Sequence, residues 1–371
     1  MSDMDAARDI VGLSLLLTCG VAAGALLQGA GMSEDVQLAC CAGLPPVLCA
    51  LGWAFARGGR RGWLAALLVL LGLWLFLTES RFNALSPGPG PVERLGQRCQ
   101  ARFVALADSI PFEDPETGAV VKALTTGDRS SLSRERVAVF RQSGASHILA
   151  LSGLHLGILY AILAFFSGAA GGSRTGRRLR YGLIVGLSGG YVFITGASPS
   201  LVRAFLFIFL SETARLTRRK TRLLGSLCGA LTLQLAFHPG AVTSVGFQLS
   251  YLAMAGIALL YPPLKRLYPG NELPGRVRFW RHPFRYIWNA AALTVSCQAT
   301  TAPLAWWRFH TFPRYFLLTN LLALPLTGLL MGSAALTLLT ATAGWYPHPL
   351  IKATDILARS LVQILTVISS M

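Results

Sequence analysis

Charged residues are scarce in this sequence, and acidic residues are the scarcest of them. Only 13% of the 371 residues are charged and 16 are Asp or Glu, whereas 53% are hydrophobic. A soluble chain of this length needs a larger polar fraction to stay dispersed in water. The composition therefore excludes an ordinary soluble domain, and recurring apolar stretches of about 20 residues predict membrane-spanning helices.

The sequence also lacks the patterns of several metal and nucleotide sites. It has no GxxxxGKS or GxxxxGKT loop and no HExxH motif, and its seven cysteines form no CxxC pair and no Cys/His pattern with metal spacing. Acidic residues are nearly absent from the interiors of the apolar stretches, and Glu212 and Asp355 lie near helix ends. We therefore expect no metal and no cofactor, and transport driven by protons or sodium is disfavoured.

The apolar stretches predict an all-α membrane protein with about ten or eleven transmembrane helices and a small outer helical segment. The penultimate stretch is too long for one crossing and contains Pro325, which predicts a kink or two half-helices. The predicted spans lie at about residues 10–29, 36–56, 62–79, 146–167, 179–196, 200–216, 222–237, 245–263, 287–309, 315–342 and 350–370.

Basic residues alternate between the predicted loops. The 168–178, 215–222 and 263–286 loops each contain several Arg or Lys residues, whereas the connections at 30–35, 197–199 and 238–244 contain none. Because cytoplasmic loops collect Lys and Arg, this pattern places the 80–145 segment outside the cytoplasm. Much of the net charge of +17 has this origin, and the remainder could serve a polyanion.

The chain is divided accordingly into N-terminal transmembrane helices at 1–79, an extracytoplasmic segment at 80–145 and a transmembrane core at 146–371. The middle segment begins with the Pro- and Gly-rich run 86–91, which predicts a stiff tether. The segment then contains three predicted helices: an amphipathic helix at 92–107, a helix at about 117–126 ending at Gly127 and Asp128, and a helix with Ser131 or Ser133 as N-cap.

The densest polar cluster lies at residues 143–157. A helix through this run would place His147, Ser152 and His155 on roughly one face. Because a polar face of a membrane helix must point into the bundle or into water, the cluster predicts a functional lining.

A structural interpretation of the same cluster stays open. In it, Ser143 or Ser146 caps the helix, while Ser152 and Gly153 permit close approach of a neighbouring helix.

A second cluster follows at residues 196–204, where a turn at Pro199 leads into a span with Arg203 one turn inside it. An arginine there must extend to the membrane surface, pair with another group or face an aqueous path. The other polar residues in apolar surroundings predict either interhelical hydrogen bonds or the lining of a path. They are Gln248, Ser250, Gln298 and Asn320, the last of which precedes Pro325.

Taken in chain order, these clusters resemble the ComEC family of bacterial DNA-uptake channels, over about residues 92–342. The resemblance rests on Gly127-Asp128-Arg129 with the run from Ser143 and Gly144 to Gly153 and His155, on Ser198–Ala204 with Pro199, on Phe247–Tyr251 and on Asn320–Pro325.

The resemblance implies a multi-pass channel of the bacterial inner membrane that passes single-stranded DNA into the cytoplasm during natural transformation, with DNA and membrane lipids as partners. Candidate residues for the DNA path are His147, Ser152, His155, Arg203, Gln248, Ser250, Gln298 and Asn320.

Members of the family often carry an OB-like domain and a metallo-β-lactamase-like domain. About 13 residues separate the third span from the first outer helix, too few for an OB barrel, and no HxHxDH zinc cluster occurs. We therefore expect a short form without enzymatic activity that relies on a separate nuclease, DNA receptor and cytoplasmic motor.

Two other functions stay open. A transporter of another anionic solute or of a lipid would share the predicted topology and the basic loops. An intramembrane hydrolase using Ser152 with His147 or His155 is the weaker alternative, because neither an oxyanion loop nor a third orienting acid is evident.

Overall fold

The computed structural model describes residues 3–58, 61–85, 88, 90–168, 173–218, 223–268, 282–310 and 314–371. Within these ranges the chain is helical and contains no strand, which confirms the predicted all-α class. The helices are α1 (Asp3–Gly29), α2 (Glu34–Gly58), α3 (Arg61–Leu85), α4 (Pro91–Asp108), α5 (Pro115–Thr126), α6 (Arg134–Gln142), α7 (Ser146–Leu149), α8 (Gly153–Phe166), α9 (Arg174–Ile194), α10 (Pro199–Leu216), α11 (Leu223–Phe237), a 3₁₀ helix (Pro239–Thr243), α12 (Val245–Leu259), α13 (Tyr261–Arg266), α14 (His282–Phe309), α15 (Phe316–Thr342) and α16 (His348–Ser369).

Several helices have the length and the composition of membrane spans, and the chain is a polytopic membrane protein. In the described ranges five segments meet both conditions: Asp9–Gly29, Glu34–Trp53, Gly62–Leu85, Val245–Arg266 and Phe316–Thr342. Helices α8 and α11 are apolar but shorter, and α16 carries Lys352, Asp355 and Arg359. The larger number of ten or eleven crossings stays a prediction.

The first of two compact units comprises Met1–Gly90 and Leu206–Tyr251. Its helices α1 and α3 touch at their backbones, since a Cβ atom added at Gly20 would lie 1.9 Å from the carbonyl oxygen of Val69. Gly20 and Gly24 form a GxxxG pair, the spacing that lets membrane helices approach closely. Where α3 nears its end, Glu79 accepts hydrogen bonds from His238 Nδ1 and the backbone N–H of Gly240.

The second unit comprises Pro91–Phe205 and Leu252–Met371. Helices α5 to α7 bury apolar side chains against α15 and α16, and Phe140, Leu330 and Leu361 are fully buried there. The residues after α4 extend this packing, because Ile110 contacts the cluster that contains Leu338. The α4–α7 segment is thus part of a packed helical unit.

Ser86, Pro87 and Pro89 of the predicted tether lie outside the described residues, as do residues 169–172, 219–222 and 269–281 of the predicted basic loops.

Helix α15 is continuous from Phe316 to Thr342 with Pro325 inside it. Of the two expected alternatives, the division into two half-helices is therefore excluded, and the kink stays a prediction. A proline removes only one backbone donor, and a membrane helix tolerates that loss when its neighbours enclose it.

Candidate functional site

The turn after α5 holds the chain that follows α7. Gly127 ends the helix in the left-handed region with φ of 81°, and its N–H donates to the carbonyl oxygen of Ala123 at 3.1 Å. A Cβ atom at Gly127 would lie 2.5 Å from Cδ1 of Leu151. Arg129 Nη2 donates to the carbonyl oxygen of Leu149 at 2.9 Å. The Gly127–Arg129 turn therefore fixes residues 149–151 by both a steric contact and a charged hydrogen bond.

A charge network stabilises this turn. The Asp128 carboxylate accepts from the backbone N–H of Ser130 at 2.9 Å and lies 3.5 Å from Lys122 Nζ. The Ser130 hydrogen bond and the Lys122 charge hold the pKa of Asp128 below its ordinary value. Burial alone would lower the pKa of Lys122, but Asp108, at 3.0 Å, and Asp128 outweigh burial and raise it. Asp128 is therefore a structural residue of the turn.

The predicted single helix at 146–167 is wrong. Helix α7 stops at Leu149, Ala150 and Ser152 have extended backbone, and α8 begins at Gly153. His147 is exposed, with Nδ1 3.1 Å from the carbonyl oxygen of Gly144, and His155 is 2% exposed. Because the helix is interrupted between them, His147 and His155 do not share one helix face.

Ser152 explains the interruption. Its Oγ accepts from the N–H of Leu154 at 3.3 Å, and its own N–H donates to His155 Nδ1 at 3.1 Å. Ser152 and His155 form a capping box: the Ser152 side chain accepts from the backbone of His155 at the third helical position, and the His155 side chain accepts from the backbone of Ser152. A histidine thus takes the place usually held by Glu or Gln. Neither Ser143 nor Ser146 is the N-cap of α7, since Ala145 occupies that position without a side-chain bond, and Ser143 is instead the C-cap of α6.

Gly153 brings the start of α8 against α10. A Cβ atom there would lie 3.4 Å from Cβ of Ala204 and 4.0 Å from Nη2 of Arg203. The Arg203 side chain is 7% exposed, so protein covers it, and extension to the membrane surface is disfavoured. Pro199 occupies the first position of α10, preceded by Ser198, whose Oγ accepts from Leu201 N–H at 3.4 Å.

The start of α15 reaches the same region. Thr319 Oγ1 donates to the carbonyl oxygen of Ser143 at 2.6 Å, and both residues are fully buried. Gly144, which follows in the left-handed region with φ of 79°, turns the chain from α6 to α7. Asn320 Oδ1 is buried and has no hydrogen-bond partner within the described ranges. Four segments distant in sequence thus converge, namely residues 127–129, 143–155, 198–204 and 319–320.

The remaining predicted site residues are Gln248, Ser250, Gln298 and Pro325. Gln248 and Ser250 belong to the first unit, where Gln248 Nε2 donates to the carbonyl oxygen of Val242 at 2.8 Å. Gln298 is half-buried on α14 of the second unit. Pro325 is an interior residue of α15. Within the second unit the structure therefore assembles Arg203, Asn320 and the 143–155 run.

An arginine stripe on α4 has no counterpart among the predicted site residues. Arg94, Arg98 and Arg102 are exposed and recur every fourth residue, and within the described residues none forms an ion pair. Beside α4 lies an open groove of about 410 Å³ whose lining includes Gln97 and Gln100 of α4 and also Gly127–Arg129. The sequence pattern that could have revealed this stripe is the spacing of four residues between the arginines, which sets them about 6 Å apart along a helix.

One run, Gly186–Gly190, matches the GxSxG nucleophile pattern by its letters. That pattern requires a strained strand-to-helix turn that exposes the serine. Ser188 instead lies in the middle of α9 and is fully buried. The match therefore indicates no nucleophile.

Comparison with known proteins assigns the convergent segments to one family. The model of the family described as competence protein matches residues 124–371, a range that contains all four of them. The chain belongs to the competence protein family.

Parts of the chain are similar in sequence to three curated proteins. ComE operon protein 3 of Bacillus subtilis is 33% identical over 145 residues, which are 39% of this chain and 18% of that protein. An uncharacterized protein of Aquifex aeolicus is 32% identical over 185 residues, 48% of this chain and 42% of that protein. The uncharacterized protein YcaI of Escherichia coli is 27% identical over 220 residues, 56% of this chain and 27% of that protein. The aligned part is thus less than half of each relative, and no solved structure matches.

Proposed function

We propose that the chain forms a channel that passes single-stranded DNA across the bacterial inner membrane during natural transformation. The observation that carries the proposal is the convergence of four segments beside the buried Arg203 in an apolar helical unit. A buried cation in a membrane protein is costly and marks a function more often than a structural role. Membership of the competence protein family supports the same function.

The chemistry of the cluster suits a strand of DNA. Phosphates need cationic partners, and bases need hydrogen-bonding groups or ring faces along a wet route. Arg203 supplies a guanidinium, and Asn320 supplies a buried acceptor that has no partner in the described part of the chain. His147, Ser152, Gln248, Ser250 and Gln298 remain proposed path residues, whereas His155 lines an apolar cavity.

The arginine stripe of α4 and its groove form the proposed landing surface. We propose that residues 80–145 face outward, so that arriving DNA meets Arg94, Arg98 and Arg102 first. Cationic side chains on one face attract a polyanion in a salt-dependent manner. The groove lies between other residues of the same helix, Gln97 and Gln100 among them, and the Gly127–Arg129 turn, which contacts residues 149–151. Degradation of the other strand, capture of DNA and the driving force are assigned to a separate nuclease, receptor and motor.

Deletion of the gene from a competent host tests the proposal. We expect loss of internalised, nuclease-protected labelled DNA while DNA bound at the cell surface persists, because receptor capture precedes membrane passage. Expression of the chain from a plasmid restores uptake. Normal uptake in the deletion strain would contradict the channel function.

A charge-retaining series tests the landing surface. Changing Arg94, Arg98 and Arg102 together to Gln should reduce uptake, and the same three changes to Lys should preserve most of it, since attraction of the backbone depends mainly on charge. Equal uptake by the Gln and Lys variants would remove the stripe from the proposal and leave the channel itself intact.

One contact favours a second candidate, a hydrolase, because Ser152 Oγ lies 3.1 Å from His155 Nδ1. That distance suits a nucleophile and its base. The same atoms, however, form the capping box of α8, which accounts for the contact without any chemistry. Transport of another anionic solute or of a lipid is the other alternative, and a failed DNA assay would favour it.

A further inference from the structure

An apolar cavity of about 260 Å³ lies in the second unit among α4, α5, α8, α9 and α15. Its wall is built mainly of aliphatic, aromatic and thioether side chains: Phe103, Leu106, Ile158, Leu159, Met331 and Leu338. The cavity is partly open, and Leu339 in its lining is 66% exposed. Such a wall does not stabilise the charged backbone of DNA, so a molecule that enters the cavity is of another class.

The polar side chains of this wall have satisfied donors, with one exception. Thr125 Oγ1 donates to the carbonyl oxygen of Val121 at 2.8 Å, and the Tyr191 hydroxyl donates to the carbonyl oxygen of Thr125 at 3.0 Å. Thr342 Oγ1 donates to the carbonyl oxygen of Leu339 at 2.6 Å. The exception is His155, which lines the cavity and is 2% exposed.

The capping box determines which nitrogen of His155 carries the proton. Nδ1 accepts the backbone N–H of Ser152, so in the neutral ring the proton is on Nε2. Nε2 lies on the opposite side of the ring, is buried and has no hydrogen-bond partner within the described residues. A buried donor without an acceptor is unfavourable, and the ring therefore offers one donor beside an apolar volume.

We infer that this cavity binds an acyl chain of a membrane lipid and that His155 Nε2–H donates to the ester carbonyl of that chain. The wall suits hydrocarbon, the single donor suits the one acceptor at the head of the chain, and the cavity lining contains no Lys or Arg that would bind a free carboxylate. The surrounding bilayer supplies the ligand. This inference does not depend on the proposed DNA function.

Photo-crosslinking tests the site. The full chain, reconstituted in phosphatidylcholine nanodiscs, is exposed to a phosphatidylcholine with a diazirine in its acyl chain, and labelled peptides are mapped by mass spectrometry. We expect labelling of Met331–Thr342 and of the start of α8. Ala335→Trp fills the cavity and should abolish this labelling, whereas Leu336→Trp, at the exposed neighbouring position, should retain it.

Two further experiments test the hydrogen bond from His155 and the kind of lipid that supplies the acyl chain. His155→Phe should weaken labelling about two- to tenfold, the loss of one hydrogen bond, and His155→Gln, which restores an N–H donor, should recover part of it. A free fatty acid with the same diazirine should label the site less than the phospholipid does.

Equal labelling in wild type and Ala335→Trp overturns the site, as does stronger labelling by the free acid. Should Ala335→Trp fail to fold, native mass spectrometry of the unmodified protein decides the question. Retention of one phospholipid after mild delipidation supports the site, and complete loss of phospholipid contradicts it.

Discussion

Thr319 Oγ1 donates a hydrogen bond of 2.6 Å to the carbonyl oxygen of Ser143, across 176 residues of sequence. Both residues are fully buried. The bond joins the start of α15 to the turn before α7, so it links the residue that precedes the Asn320–Pro325 motif to the 143–155 run. Removing this bond therefore tests most simply whether the four segments at residues 127–129, 143–155, 198–204 and 319–320 pack together.

Replacing Thr319 by Val should lower the stability of the second unit. The substitution keeps the shape of the side chain but leaves the buried Ser143 carbonyl without this donor, a loss of about 1–3 kcal/mol. Thermal unfolding in detergent measures it. Thr366→Val is the matched control, because Thr366 is exposed and bonds only within its own helix. Equal midpoints for the two variants would contradict the contact.

Gly127→Ala should be more destabilising than an ordinary glycine substitution. An alanine in the left-handed region costs about 1–2 kcal/mol, and its Cβ would lie 2.5 Å from Cδ1 of Leu151. Gly157→Ala, within α8 and with nothing within 4 Å, should be neutral or stabilising. The difference between the two unfolding midpoints is the measurement, and a neutral Gly127→Ala would show that the turn does not press on Leu151.

Variants of Ser152 separate a helix cap from a nucleophile. Asn caps helices about as well as Ser does, whereas Ala loses about 1 kcal/mol. If Ser152 acts only as a cap, Ser152→Asn keeps both stability and DNA uptake, and Ser152→Ala lowers stability modestly. Loss of all function in a stably folded Ser152→Asn protein would instead support the hydrolase.

The charge network at Asp128 predicts a pH dependence confined to acid. The pKa of Asp128 is lowered in the folded chain, so its stabilising contribution is present above the unfolded pKa of about 3.9. The contribution is lost as the pH falls through the lower, folded value. The pKa of Lys122 is raised, so its contribution is lost only as the pH rises through a folded pKa above about 10.4.

Unfolding midpoints measured from pH 3 to pH 7 test whether stability falls with pH in this way. Asp128→Asn should flatten the decline in midpoint below about pH 4, while the control Glu135→Gln, at an exposed position of α6, should leave the decline unchanged. A steeper decline in Asp128→Asn would be the opposite of the expected sign.

The positions of several helices can be predicted from the sequence because they depend on local residue patterns. Apolar spacing predicted a helix at 92–107 where α4 runs from Pro91 to Asp108. Turn chemistry predicted the end of α5 at Gly127, and Ser133 is the N-cap of α6, its Oγ accepting from Arg136 N–H at 3.2 Å. Each of these signals lies within a few residues of the feature that it predicts.

The interruption of the helix before α8 could not be predicted from the sequence in this way. The apolar spacing around Leu149 to Leu156 is compatible with an unbroken helix, and His155 is not the usual partner in a capping box. The interruption also depends on distant residues, because Arg129 holds the Leu149 carbonyl and Gly127 contacts Leu151. Tertiary contacts of this kind override local pattern.

Uptake by Arg203 variants tests the central claim most directly. Cells that produce Arg203→Ala, Arg203→Lys or the exposed control Arg308→Ala at equal membrane levels are compared for nuclease-protected labelled DNA. The account predicts a loss of at least about tenfold in Arg203→Ala, since a buried charge contact is worth more than about 1.4 kcal/mol. It also predicts partial retention in Arg203→Lys and wild-type uptake in Arg308→Ala. Wild-type uptake in Arg203→Ala would contradict the claim that the convergent cluster carries the strand.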